Sequence, residues 1–536
     1  MHPSGIASLQ IAFLLLLFLA VAFASLAKRM KTPYPIILVI AGLVVSFVPG
    51  IPKVELDPNV VFYVFLPPLL YSAAWNTSWR EFRYNLVSIL LLAVGLVAFT
   101  VFGVAAVAHY WPAAPFDWRT GAVLGAVVAT TDAVAATSIA RRLGLDRRIV
   151  DILEGESLVN DATGLLALEF TSALVVSNQQ PTIGEGSLRL LYLMFGGVIV
   201  GLVIGFVVDF LERRIDDGPI EIAISIFVAY ASYFAAESVH APGVLSVVTC
   251  GLFLSRRSVH FFSPGVRIQA IAVWEAIDFI LNGVVFLLIG LQLEAVLNDI
   301  RFYDRRSLFQ LGAVFALVVI ALRLLWVFPS SQISWRIRSR ILGQHDEPPP
   351  ARGVFLIGWT GMRGVIALAA ALSLPRTISD GSPFPNRNLI VFLTFSVIFV
   401  TLVVQGLTLP PLIRFLKLQR TSDRDPEEYE ARVEILEAAL RQLESTRHRD
   451  AERFADVYDD VAQHYRTRLD TVRGQGADEH GSSAEHAHRY QNVTRELLQF
   501  ERACAVDLRN SGRISDDVLR RLLHEIDLSE TRIADR

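Results

Sequence analysis

Over roughly the first 420 residues the chain alternates apolar runs of about 17–28 residues with short polar loops. About 20 apolar residues are what a helix needs to cross a hydrocarbon core. The pattern predicts thirteen spans, at about 8–27, 33–48, 57–75, 84–111, 119–141, 149–177, 188–211, 219–239, 241–256, 267–295, 307–328, 352–374 and 388–416. The ninth is short, and its boundary with the eighth, Val239-His240-Ala241-Pro242-Gly243, is the least distinct. After Arg420 the pattern changes abruptly. Residues 421–536 are charged and helix-prone, with Tyr429, Val433, Leu436, Leu440 and Leu443 at a 4-3-4-3 spacing that suits a helix–helix seam or an amphipathic helix packed on its own domain. Residues 474–488 read as a flexible joint, and Ser515-Asp516-Asp517 as an N-cap before Val518-Leu519. The expected organisation is a transmembrane domain at 1–420 and a helical tail at 421–536.

Charge placement orients the spans. Lys28, Arg29 and Lys31 follow the first span, Arg80 and Arg83 the third, and Arg141, Arg142, Arg147 and Arg148 the fifth. Arg213, Arg214, Arg256 and Arg257 follow the seventh and ninth, and Arg336, Arg338, Arg340, Arg414, Lys417 and Arg420 the eleventh and thirteenth. The intervening loops are poor in basic residues apart from Arg301, Arg305 and Arg306. Basic loops stay on the cytoplasmic side, so the N-terminus is expected outside and the tail in the cytoplasm. The first run lacks the basic n-region of a secretory signal and reads as a span. A mean hydropathy of +0.46 fits a membrane protein, and a net charge of −3 gives no reason to expect a nucleic-acid partner. Cys250 and Cys504 imply neither a disulfide framework nor a metal site. His480, His486 and His488 read as a solvated loop, without the fixed spacing of a metal site. No cofactor is expected.

Three stretches carry charge where lipid forbids it. The fifth span holds Asp132 in Thr130-Thr131-Asp132-Ala133, and the sixth reads Glu154-Gly155-Glu156-Ser157-Leu158-Val159-Asn160-Asp161. A charge at bilayer depth costs at least about 2.5–3.5 kcal/mol, so water, a partner charge or a bound ion must offset it. On a helix Ser157 and Asp161 share one face, and Glu156 and Asn160 the neighbouring one. A dehydrated Na⁺ or Li⁺ is a hard cation that takes oxygen ligands, which Asp161, Ser157, Asp132 and Thr131 supply. The competing reading of Asp161 is a hydrogen bond to a neighbouring helix.

The twelfth span holds Arg363 among Gly358, Gly361 and Gly364. Guanidinium cannot shed its proton, so Arg363 needs an anion; Glu156, Asp161 and Asp132 are the candidates, and Glu156 is preferred because pairing with an ion-site aspartate would exclude cations. The glycines are poor helix formers and predict an interrupted helix lining a cavity. Interrupted fifth and twelfth spans in two halves point to inverted repeats, spans one to six and eight to thirteen, about a midplane site.

These motifs, with Phe65-Leu66-Pro67-Pro68-Leu69-Leu70 and residues 282–290, resemble the cation/proton antiporter-1 family, the NhaP-type branch of bacterial sodium/proton exchangers. The resemblance covers roughly residues 8–420, and Gly512-Arg513-Ile514-Ser515 resembles bacterial tails. It implies an all-α polytopic membrane protein of thirteen transmembrane helices, with inverted-topology repeats and two interrupted crossing helices. It implies a homodimer in the bacterial inner membrane. It implies that Asp161 carries cation and proton in turn, that Asp132, Thr131 and Ser157 assist, and that Glu156 pairs with Arg363. Asn160, counted with these ion-handling residues, stands where electrogenic relatives carry a second aspartate, which implies electroneutral exchange. There are two departures. No proline flanks Thr131-Asp132, and Tyr71 and Ser72 occupy the place of a third-span acid found in some relatives. Glu275 and Asp278 are acidic instead, and Asp278 is a candidate for the ion cavity or for a polar contact between helices.

The expected function is exchange of Na⁺, and by extension Li⁺, for H⁺, serving pH and sodium homeostasis. A K⁺/H⁺ antiporter of the same fold is the main alternative, because the motifs do not determine ion choice. An intramembrane aspartyl protease is remote, since Leu158-Val159-Asn160-Asp161 lacks a Gly-x-Gly-Asp pattern. A channel would need a selectivity filter or charged ring, which the spans lack.

Overall fold

The computed structural model describes residues 3–529 apart from 31, 49–55, 113, 177–182, 216, 301–302, 345–346, 420–425, 448–454, 474–482, 512, 514–517, 520, 524 and 528. It divides into two compact units, Met1–Arg420 and Thr421–Arg536. Both are helical, and the only β-pairing among the described residues is two isolated bridges, Leu145 with Gln419 and Thr377 with Pro383.

In the first unit the apolar runs are helices, and seven of those described are long and apolar enough to cross a membrane. Two runs are broken in mid-course. Trp118–Val127 stops, the chain continues extended, and Ala133–Arg142 resumes. Likewise Ala351–Trp359 stops and Val365–Leu372 resumes. Asp132 caps the resumed half of the first, its carboxylate accepting from Val134 N–H at 2.8 Å. Gly364 holds the same position in the second, with extended backbone and no side chain to cap with. Arg147–Val176 carries the acidic motif and packs against both halves of the first broken helix. The indistinct boundary near residue 240 is a sharp turn: Gly218–Ser238 ends, His240 adopts φ 55°, and Gly243–Phe261 begins.

Tyr34–Ser46 packs along Pro264–Asp299 at backbone distance. A Cβ on Gly42 would stand 2.3 Å from the Leu287 carbonyl oxygen, and one on Gly290 would stand 2.2 Å from that of Val39. Helices in lipid associate through such small-residue seams, because burial from water no longer drives them together.

In the second unit Pro426–Arg447 and Ala455–Arg473 run antiparallel: Arg447 pairs with Asp459 at 2.8 Å, and Arg473 with Glu437. Leu436 is buried, and Tyr429, Val433, Leu440 and Leu443 form the half-buried face around it, so the seam is internal to this unit. The third helix, Ser483–Asn510, begins inside the stretch expected to be a joint. The remainder of that stretch, His480, the side chains of His486 and His488, and the Ser515-Asp516-Asp517 cap lie outside the described residues.

The glycine seam makes a direct prediction. Gly290→Val should destabilise the protein by about 1–3 kcal/mol or block its folding, because rigid backbone lies where the side chain must go. A thermal midpoint in detergent equal to that of the unsubstituted protein would show that the two helices are not in backbone contact.

Candidate functional site

The broken helices cross at their interruptions. The Asp132 N–H donates to the Met362 carbonyl at 2.9 Å, so one break is tied to the other by backbone alone. Gly364 makes the approach possible: a Cβ there would lie 2.3 Å from Asp132 Oδ2.

Broken backbone at membrane depth must find partners elsewhere. Arg147–Val176 supplies them for the first break. Ser157 Oγ donates to the Thr131 carbonyl at 2.9 Å and accepts from the Ala133 N–H at 3.4 Å. Asn160 Oδ1 accepts from the Thr131 N–H at 3.3 Å, and its amide donates to Thr131 Oγ1. Thr131 Oγ1 in turn donates to Glu156 Oε1 at 3.1 Å. The second break is held by Arg323, whose Nε and Nη2 donate to the Ile357 carbonyl at 3.3 and 3.1 Å. Gly361 leaves room for this side chain, since a Cβ there would stand 2.2 Å from Arg323 Cδ. The Arg363 N–H donates to Thr401 Oγ1 at 3.1 Å.

The expected ion pair is placed differently. Glu156 is engaged end-on by Arg323, through Nη1 to Oε1 and through Nη2 to Oε2 at 2.8 Å, with both side chains buried. Arg363 is equally buried and lies within electrostatic range of both, but its three guanidinium nitrogens have no hydrogen-bond partner among the described residues. Arg323 prevails because its planar fork meets the carboxylate bidentately while it also caps the free carbonyl of the second break. The signal was present in the sequence: Leu322-Arg323-Leu324 places a permanent cation inside the apolar run at 307–328.

Asp132 and Asp161 lie in a wall that neither arginine reaches. Both line a cavity of about 320 Å³, together with Thr131, Ser157 and Gly364. The cavity extends to Arg141 and Glu154, which form a 2.6 Å ion pair with Arg141 largely exposed. Glu156, Asn160, Arg323 and Arg363 are not in its wall. Of the residues expected to handle the ion, Asn160 is therefore a strut of the first break. Thr131 and Ser157 serve as struts and also reach the cavity. Asp278 lines the cavity too, and accepts from Ser72 Oγ on the neighbouring helix Leu66–Asn76. No group of three or more His, Cys, Asp or Glu side chains suited to a metal ion occurs among the described residues.

Residues 14–415 match the model of a family described as sodium/hydrogen exchanger, transmembrane. An uncharacterised Na⁺/H⁺ exchanger of Mycobacterium tuberculosis (strain H37Rv) is 34% identical over 95% of this chain and 93% of its own length. The Na⁺/H⁺ antiporter ApNhaP of Aphanothece halophytica is 32% identical over 80% of each chain. A sodium, potassium, lithium and rubidium/H⁺ antiporter of Bacillus pumilus is 32% identical over 77% of this chain and 62% of its own. Among solved structures, the sodium/proton antiporter MjNhaP1 of Methanocaldococcus jannaschii superposes with a TM-score of 0.61 at 17% identity, covering 77% of this chain and all of that one.

The Glu156–Arg323 pair should behave as a unit in a double-mutant cycle. Glu156→Gln or Arg323→Met alone strands a buried charge, at a cost of about 3–5 kcal/mol, and the double variant should lose less than the two combined. The same cycle run with Arg363 should give the smaller coupling. Additive losses for Glu156 with Arg323, read from thermal midpoints in detergent, would remove the pair from the account.

Proposed function

This chain belongs to the sodium/hydrogen exchanger family of cation/proton antiporters, and from that premise we propose that it exchanges Na⁺, and also Li⁺, for H⁺ at Asp132 and Asp161. The observation that carries the reading is the sidedness of the crossing. Two carboxylates face one cavity, while both arginines and Glu156 lie outside its wall. The site is thus open to a small cation and is not already neutralised by a guanidinium.

The charges at the crossing bear on stoichiometry. Glu156, Asp132 and Asp161 stand against Arg323 and Arg363, which leaves one negative charge in excess. A single monovalent cation or a single proton neutralises it. A buried centre that carries net charge is costly, so the two states of lowest charge are cation-loaded and protonated. Exchange of one for one is then electroneutral. Asp161 carries the exchange, and Asp132 completes the shell with the oxygens of Thr131 and Ser157, which first release the hydrogen bonds they now make.

Around this site the proposal places thirteen crossings in two inverted halves, the N-terminus outside, the tail in the cytoplasm and a homodimer in the bacterial inner membrane. The alternation of basic loops supports the orientation, and the role is pH and sodium homeostasis. K⁺/H⁺ exchange at the same site is the second reading, favoured by the likeness to the Bacillus pumilus antiporter, whose name includes potassium.

Asp161→Asn should abolish exchange in proteoliposomes and leave folding intact, because it removes a charge and no packing. Retention of more than about a tenth of the original rate, a loss under about 1.4 kcal/mol, would contradict the assignment. Asp132→Asn should act mainly by raising the half-saturating cation concentration; an unchanged value would remove Asp132 from the shell.

A further inference from the structure

The cavity holds a third carboxylate that the exchange site leaves unused. Asp278 lies on Pro264–Asp299, one turn before Asn282, which also lines the cavity. Its Oδ2 accepts from Ser72 Oγ, and the Asn76 amide donates to that same Ser72 oxygen at 3.5 Å. Ser72 is itself 2% exposed, so the contact is built into the helix packing. The other carboxylate oxygen, Oδ1, is buried with no hydrogen-bond partner among the described residues. A buried carboxylate oxygen without a donor demands one. Among the described residues the one cationic side chain in the wall is Arg141, and it is paired with Glu154. Tyr34, also in the wall, lies within electrostatic range of both Asp132 and Asp278.

The local chemistry is a carboxylate, a hydroxyl and two amide oxygens, all hard donors that suit an alkali cation. We propose that Asp278, with Ser72 and the flanking Asn76 and Asn282, forms a second cation station in this cavity, which holds the monovalent ion partly hydrated on its way to or from Asp132 and Asp161. The proposal rests on the reading of those two aspartates as the exchange site. A negative wall concentrates cations inside a low-dielectric cleft. Asp278 therefore sets how readily the exchange site fills, and leaves the exchange step itself unchanged.

Two measurements decide it. Asp278→Asn preserves side-chain size and can keep the Ser72 contact. In proteoliposomes it should raise the half-saturating Na⁺ concentration by about threefold or more while the maximal rate stays within about twofold. In detergent, protein carrying Asp132→Asn and Asp161→Asn should still show a thermal midpoint that rises with NaCl above a choline chloride control. That rise should vanish when Asp278→Asn is added, because only a bound ligand stabilises by mass action. An unchanged half-saturating concentration, or no Na⁺-specific rise in the doubly substituted protein, overturns the station and leaves Asp278 as a helix-to-helix contact. Failure of the exchange-site reading would show separately, as exchange persisting in Asp161→Asn.

Discussion

A backbone hydrogen bond between two interrupted helices, Asp132 N–H to the Met362 carbonyl, is the constraint on which the rest of the site depends. It exists only because both helices stop in mid-course. Stopping there strips carbonyls and N–H groups of their partners in a region without water. The stripped groups then need polar side chains from other helices, which explains Ser157 and Asn160 on Arg147–Val176 and Arg323 on Arg305–Arg340 at otherwise costly positions. Once Arg323 is drawn in to cap Ile357, a buried cation needs a buried anion, and Glu156 supplies it. The ion pair is thus a consequence of the crossing, and its chief role is to fix which face of Arg147–Val176 meets the broken helices.

That orientation separates scaffold-facing from cavity-facing side chains along one helix. Glu156 and Asn160 turn toward the scaffold, while Asp161 turns toward the cavity. Ser157 stands on the boundary, bonded to the first break and facing the cavity at once. A cation that recruits Ser157 or the Thr131 carbonyl must compete with the bonds that hold the break. Loading the site and loosening the crossing are therefore linked, and this is a physical route by which occupancy can bias the movement of the broken helices.

Much of this was legible in the sequence. The apolar runs appear as helices because length and hydropathy leave a membrane segment few alternatives. The interruption at Gly358–Gly364 was legible from its glycines. The structure adds why those glycines are there: Gly361 and Gly364 are sites of contact with Arg323 and Asp132. The first interruption carries no glycine or proline, so its signal was the carboxylate itself. Glu156 pairs with Arg323 and not with Arg363 as the motifs imply: both are permanent cations inside apolar runs, and the sequence does not rank them. Pairing between helices that are distant in sequence depends on three-dimensional placement, which local pattern does not encode. The exposure of Asp278 to the same cavity was open for the same reason.

In the proposed exchange, one buried negative charge is neutralised by a cation or by a proton, and never by both. Cation binding to purified protein in weakly buffered detergent should therefore expel protons into solution. One proton should be released for each Na⁺ bound at the exchange site, at a pH where that site is protonated, and the apparent Na⁺ constant should weaken up to about tenfold for each unit fall in pH. Binding of Na⁺ without proton release that persists in Asp278→Asn protein, with a constant that does not move between about pH 6 and 8, would contradict it.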